Sequence, residues 1–293
     1  MLKNSSVDYK ENEPLSVHST FSIGGCARLA VFPKTLDQIV FSVREAHRMG
    51  IKCSVIGNAS NVLFSDFGFD GAVIFTSRCK DIKAYETGIT AECGASFTHL
   101  STIAAKNSLS GLEFAYGIPG TVGGAVYMNA GAYGCEVSDV LISSLCLDIR
   151  SGNISSLSAD RHEFGYRTSI YNKGSNLIVL SASFALDRGN ATEIRSRMEE
   201  LMAQRKEKQP LELPNAGSTF KRPEGYFAGK LIEDSGLKGF SVGGAQISKK
   251  HAGFIVNTGG ATANDVLRLI DHTKETVLKN FGVELECEIK YID

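Results

Sequence analysis

From Tyr116 to Gly134 the chain reads YGIPGTVGGAVYMNAGAYG, with Gly117, Gly120, Gly123, Gly124, Gly131 and Gly134 set among apolar residues and almost no charge. Glycine tolerates positive φ and lets another object approach the main chain, so this density suits either tight turns or a ligand laid on peptide groups. Interleaved Val122, Ala125, Val126 and Met128 place the segment largely inside, where every N–H needs an acceptor. A buried turn draws those acceptors from the protein, whereas a phosphate or pyrophosphate supplies them itself. On this segment alone both uses stay open.

Further segments join turn chemistry to a reactive or charged side chain. VIGNASNVL puts Gly57, Asn58, Ser60 and Asn61 directly after a strand-like run, where N–H groups and short polar side chains can meet a phosphate. EFGYRTSIY carries Arg167 in an otherwise lightly charged loop, and PNAGSTFKRPEG carries Ser218 beside Lys221. LECEIKYI alternates so that Glu286 and Glu288 share one face of a strand. Each has an ordinary reading as well. Arg167 can pair with a surface carboxylate, Ser218 can close a hydroxyl turn, and Glu288 can sit solvated on an edge strand.

The elements that must hold these segments are readable in outline. ARLAVF (27–32) is strand-like, and residues 35–50 form a helix with Leu36, Ile39, Val40, Val43 and Ala46 on one face. Thr35 with Gln38 makes a capping box, and Gly50 stops the helix. Strands at 51–57 and 71–75 flank the loop GNASN. Residues 82–94 read as a hairpin turned at Thr87 and Gly88, followed by a helix from Ser96 to about Asn107. A strand pair at 145–158, an apolar strand at 176–186 and a helix at 191–208 come next, and Pro210 and Pro214 then mark a boundary. The last third reads as helix 227–236, strands 243–248 and 252–257, helix 262–282 and a closing strand 283–292.

At 293 residues and 43% hydrophobic composition the chain can bury a substantial core in two or three domains. A net charge of -1 argues against a general nucleic-acid or membrane-surface role. The N-terminal residues lack a signal-like apolar run and no stretch approaches the roughly 20 apolar residues of a membrane span, so a cytoplasmic protein is expected. The cysteines form no C-x-x-C pair and the histidines no H-x-x-x-H, so no metal site is expected. A P-loop and a Rossmann G-x-G-x-x-G after the first strand are both missing.

Taken in order, HSTFSIGG, VIGNASN, GIPGTVGGA, NAGAYG, FGYRTS, NAGSTFKRP, GLKGFSVGGAQIS, HAGFIVNTGGATANDV and GVELECEI resemble the UDP-N-acetylenolpyruvoylglucosamine reductase family, in its shorter second type. The resemblance runs from about Leu15 onward. It implies an α+β fold: a two-subdomain FAD-binding domain of the vanillyl-alcohol-oxidase (PCMH-like) kind plus a smaller α/β substrate-binding domain. The expected segments are 1–77 and 78–190 for FAD and 191–293 for substrate, the last strand (about 283–292) carrying a catalytic Glu toward the flavin.

The implied reaction is the NADPH-dependent, FAD-mediated reduction of UDP-N-acetylglucosamine enolpyruvate to UDP-N-acetylmuramate in peptidoglycan precursor synthesis. Hydride from NADPH reaches the methylene carbon by way of FAD, and the adjacent carbon then needs charge stabilisation and a proton. The resemblance implies Arg167 for the developing enolate, Glu288 for polarising the substrate carboxylate as an acid or through water, and Ser218 as proton donor. It implies FAD contacts from Gly57, Asn58, Ala59, Ser60, Asn61, Gly117, Pro119, Gly120, Thr121, Gly123, Gly124, Ala125 and Asn129. Substrate contacts are expected from Tyr133, Lys221, Lys230, Gln246 and His251, in a protein expected to act as a monomer.

Two departures from the family pattern stand out. GNASN replaces a loop of the form G-G-G-S-N, and an alanine forced to positive φ costs about 1 kcal/mol or more. Arg222 in FKRP replaces a more familiar asparagine. Competing readings are a flavin oxidase using molecular oxygen and a flavin or UDP-sugar sensor without catalysis. Keeping Arg167, Ser218 and Glu288 together argues against the sensor.

Overall fold

The computed structural model describes residues Ser6–Asp293; residues 1–5 of the expected first segment lie outside them. Along the chain, β1 (Asp8–Pro14) and β2 (Cys26–Phe32) lead into α1 (Leu36–Arg48), β3 (Cys53–Ile56), β4 (Val62–Phe64) and β5 (Phe69–Phe75). The hairpin of β6 (Ile82–Ala84) and β7 (Gly88–Glu92) precedes α2 (Phe97–Lys106) and the short α3 (Val122–Met128). Next come β8 (Leu141–Asp148), β9 (Ile154–Ser158), β10 (Leu177–Ala185) and α4 (Ala191–Lys208). The remainder holds β11 (Asn215–Ser218), α5 (Ala228–Asp234), β12 (Ser241–Val242), β13 (Ala245–Ile247), β14 (Phe254–Asn257), α6 (Ala263–Phe281) and β15 (Lys290–Ile292). The class is α+β, as expected.

The chain packs as two compact units. Unit 1 takes the N-terminal stretch to Glu11, Leu29–Asn58 and Gly71–Gln204; unit 2 takes Asn12–Arg28, Ala59–Asp70 and Arg205–Asp293. Unit 2 therefore draws two stretches from the first 77 residues. A sheet ordered β1-β2-β5-β3 has β3 and β5 running parallel.

Unit 1 carries the antiparallel sheet β9-β8-β10-β7-β6 over a core that includes Ile39, Val43, Phe97, Leu100, Val122, Leu147 and Phe184. Helix α1 forms as its sequence signals require: Thr35 Oγ1 accepts from Gln38 N–H at 3.2 Å, and Ile39, Val40, Val43 and Ala46 are buried. The Gln38 amide oxygen reaches Lys34 N–H (2.7 Å) rather than Thr35 N–H, so the capping box is shifted by one residue. Gly50 at φ 64° ends the helix, with Ile51 N–H donating to Ala46 O at 2.9 Å. The β6–β7 hairpin turns one residue earlier than expected: Tyr85 N–H donates to Gly88 O, leaving Glu86 and Thr87 as the loop.

Unit 2 is built on the antiparallel sheet β11-β14-β13-β12 with α5 and α6, around Phe21, Leu63, Ile232, Ile255, Val266 and Leu269. Thr262 and Asp265 form a reciprocal capping box on α6. The Asp66 carboxylate accepts from Ala263 N–H (2.7 Å) and Asn264 N–H (2.9 Å) at the same helix end.

The closing strand is shorter than expected. Only Lys290–Ile292 pairs regularly, parallel to β4, whereas Cys287 bridges Phe220. The chain changes partner between Glu288 and Lys290, and one uninterrupted strand cannot serve both. Among the described residues no helix is long and apolar enough to cross a membrane, and no cluster of His, Cys, Asp and Glu could hold a metal ion.

Candidate functional site

The two uses left open for the glycine segment are separated by where its N–H groups go. Gly117 N–H donates to Thr98 Oγ1 (3.1 Å), Gly120 N–H to Ile118 O (2.9 Å), Val122 N–H to Ala95 O (2.8 Å) and Gly123 N–H to Cys93 O (2.8 Å). Gly124 N–H meets the N-cap hydroxyl of Thr121 at 3.4 Å. The protein itself therefore supplies these acceptors, and these glycines serve a turn running into α3. The helix went unread because paired glycines oppose helix formation. Gly123 is needed for space: a Cβ there would lie 3.0 Å from Cys93 Cβ. Pro119 and Gly124 are exposed, so the start of α3 offers bare backbone.

A run of free donors lies in the other loop. Among the described residues, no protein acceptor takes the backbone N–H groups of Gly57, Asn58, Ala59, Ser60 or Asn61. Ala59 is 3% exposed and holds φ 46° while Asn58 and Ser60 keep negative φ. Gly57 lies directly on Thr121, since a Cβ there would be 2.2 Å from Thr121 Oγ1. Thr121 N–H likewise has no protein acceptor among the described residues. Bare backbone with unspent donors fits the diphosphate of FAD, so Gly57–Asn61 suit that group, whereas the N–H groups of Gly117, Gly120, Gly123 and Ala125 are already taken by the protein. Asn58 needs no left-handed backbone; Ala59 alone carries that strain.

Within unit 1, Arg167 occupies the tip of a tight turn. Gly165 and Thr168 exchange N–H···O bonds of 3.1 and 3.0 Å across Tyr166 and Arg167. Arg167 has φ 56°, where turns ordinarily place Gly or Asn, and an arginine held there is a strained residue. Its guanidinium donates to Gly131 O at 2.9 Å and lies over the Tyr166 ring, 5.1 Å from the centroid. Asn129, fully buried at the left-handed end of α3, donates to Glu136 Oε1 (2.8 Å) and Gly165 O (3.2 Å) and accepts from Ser138 N–H (2.9 Å). Its amide therefore braces the Arg167 turn, whereas a cofactor contact was expected of it. Tyr133, at φ 57°, sits at the tip of a small hairpin and donates to Leu201 O at 2.9 Å.

Within unit 2, Asn61 meets Glu288, and the segment bearing Glu288 pairs with the residue after Ser218. Glu288 N–H donates to Thr219 O (2.8 Å), Lys221 N–H to Glu286 O (2.9 Å), and Lys290 N–H to Asn61 O (3.0 Å). Asn61 Nδ2 donates to Glu288 O at 3.2 Å. Ser218 ends β11 after Gly217, whose φ is 76°, and among the described residues none hydrogen-bonds its hydroxyl. Lys221 forms an ion pair with Glu286. Thr20, which sequence reasoning passed over inside HSTFSIGG, ties this region together. Its hydroxyl donates to Asn215 O at 2.8 Å, and its carbonyl accepts from Asn215 N–H.

The other expected substrate residues have local partners. Lys230 pairs with Asp234 one turn along α5 at 2.6 Å, which raises its pKa. Gln246 Nε2 donates to Ser241 Oγ across β12 and β13 at 2.9 Å. His251 Nδ1 accepts from Gly253 N–H (3.1 Å), its ring packs edge-on to Phe254, and burial lowers its pKa. Gly239–Gly243 spells G-x-S-x-G, a spacing missed in the sequence. A strand and tight hairpin follow it instead of a helix, so Ser241 is not a nucleophile elbow. Arg222 stacks 4.0 Å over Phe227.

Comparison with known proteins accounts for both ends of the chain. Residues 27–158 match the FAD binding domain family, and residues 209–292 match the C-terminal domain of UDP-N-acetylenolpyruvoylglucosamine reductase. The UDP-N-acetylenolpyruvoylglucosamine reductase of Limosilactobacillus fermentum is 48% identical over 286 residues, 98% of this chain and 95% of its own. That of Caldanaerobacter subterraneus subsp. tengcongensis is 48% identical over 281 residues, 96% and 92% of the two chains. Among solved structures, UDP-N-acetylenolpyruvylglucosamine reductase from Thermus caldophilus matches with a TM-score of 0.82 at 34% identity, over 98% of this chain and 99% of that one. Identity at this level along almost its whole length means that the chain belongs to the UDP-N-acetylenolpyruvoylglucosamine reductase family.

Proposed function

We propose that the protein reduces UDP-N-acetylglucosamine enolpyruvate to UDP-N-acetylmuramate with NADPH, serving peptidoglycan precursor synthesis. The observation that carries this reading is the junction in unit 2. There Asn61, which ends the run of unspent backbone donors, binds Glu288 O, and Glu288 N–H binds the residue after Ser218. When bound, FAD supplies the hydride that NADPH provides.

The residues of the chain do the rest. The N–H groups of Gly57–Asn61 hold a diphosphate, and Thr121 and Gly124 leave room for bare-backbone contact. Arg167, permanently cationic, stabilises the negative charge that develops on the substrate carboxylate. Glu288 polarises that carboxylate as a protonated acid or through water. Ser218 gives its hydroxyl proton to the adjacent carbon, a role that suits a hydroxyl not committed to a protein partner. Lys221, Lys230, Gln246, His251 and Tyr133 are assigned to the nucleotide and sugar, the first of them best placed because its backbone joins the Glu286–Glu288 ladder. We assign flavin binding to residues 1–77 and 78–190 and substrate binding to 191–293, in a monomer acting in the cytoplasm.

The test is an anaerobic spectrum of the purified protein. A yellow protein bleached by NADPH and recoloured by the enolpyruvyl substrate supports the reading. Recolouring by oxygen alone, at a rate the substrate does not change, overturns it in favour of an oxidase.

A further inference from the structure

Arg167 is a strained residue on a two-residue turn, and something must hold that turn against relaxation. The side chain best placed to do so is Asn172, five positions on. Its Nδ2 donates to Arg167 O at 3.2 Å and to Tyr127 O, in the last turn of α3, at 2.9 Å. Its Oδ1 accepts from Ser169 N–H at 3.1 Å. One amide nitrogen thus reaches two carbonyls, one belonging to the strained arginine and one to a packed helix, with Met128 Sδ at 3.8 Å as a weaker third partner. Ser169 Oγ adds a parallel tie to Tyr127 O at 2.8 Å.

We propose that Asn172 is a positioning residue for Arg167: it locks the arginine backbone to α3, so the guanidinium points in one direction without reorganising during reaction. Neither alanine nor aspartate replaces it, because alanine has no donors and aspartate would face two carbonyl oxygens with a third acceptor. The proposal rests on Arg167 being the enolate-stabilising cation. A small misplacement of such a group costs about 100-fold in rate.

The experiment compares Asn172→Ala, Arg167→Lys and the double variant. It reads flavin content, the rate of reduction by NADPH without substrate, and kcat and KM for the enolpyruvyl substrate. Asn172→Ala is expected to keep flavin and NADPH reduction, lose about 10- to 100-fold in kcat with little change in KM, and add nothing to the loss in Arg167→Lys. Losses that multiply in the double variant, a kcat unchanged in Asn172→Ala, or loss of flavin from that variant would each overturn the positioning role. A wild-type kcat in Arg167→Lys would instead remove the reading on which it rests.

Discussion

The backbone N–H of Glu288 donates to the carbonyl of Thr219 at 2.8 Å, so the segment bearing Ser218 and the segment bearing Glu288 are hydrogen-bonded neighbours despite lying some seventy residues apart in sequence. The hydroxyl of Ser218 needs only to face substrate to act as a proton donor. Ser218→Ala should therefore retain reduction by NADPH while product formation falls by about 100- to 10,000-fold. Stopped-flow measurement of the two half-reactions decides it, and normal turnover would eliminate Ser218.

The Lys221–Glu286 pair is different in kind. Glu286 has 71% of its side chain exposed against 16% for Lys221, and an ion pair with a solvated carboxylate contributes about 1 kcal/mol. Glu286→Gln should lower unfolding free energy by less than that, as read by urea denaturation. A loss above about 2 kcal/mol would show the pair to be structural.

Ala59 pays for the left-handed backbone that a glycine would take freely. Relief of about 1 kcal/mol in Ala59→Gly is offset by the roughly 0.5–1 kcal/mol of extra chain entropy that glycine loses on folding. The expected melting temperature is nearly unchanged. Ala59→Val, β-branched at the same φ, should destabilise the protein by about 2 kcal/mol or more and shed flavin. Thermal melts with a flavin assay check both.

His162 is fully buried, hydrogen-bonded to Ser144 Oγ at 2.7 Å and to Ser158 O at 2.8 Å, and burial lowers its pKa from 6.5. A lowered folded value means that the unfolded chain takes up the proton first. Stability should be fully present above pH 6.5 and fall as pH drops below it, by at most about 1.4 kcal/mol per pH unit for this one group, until the folded value is reached. His162→Gln should flatten that part of the profile. An unchanged slope in urea titrations between pH 5 and 6.5 would sink the assignment.

Legibility followed the physics of each element. Helices α1 and α6 were readable because caps, stop glycines and 3.6-residue periodicity agree. β1, with the sequence DYKENEP at a sheet edge, buries little and so shows no alternation to read. α3 hid behind Gly123 and Gly124, and the closing strand looked continuous because alternation cannot reveal a change of partner. Of the candidate site, Arg167, Ser218 and Glu288 stand out by type, and their roles rest on the resemblance. The bracing by Asn129 and Asn172 was not legible, since an amide that satisfies distant carbonyls leaves no local pattern.

The carboxylate of Asp66 caps Ala263 and Asn264 at the start of α6. A helix end of this length would otherwise be a natural resting place for any passing polyphosphate. Because the chain sets a carboxylate of its own at that pole, two of the donors a polyphosphate would use are already satisfied from within.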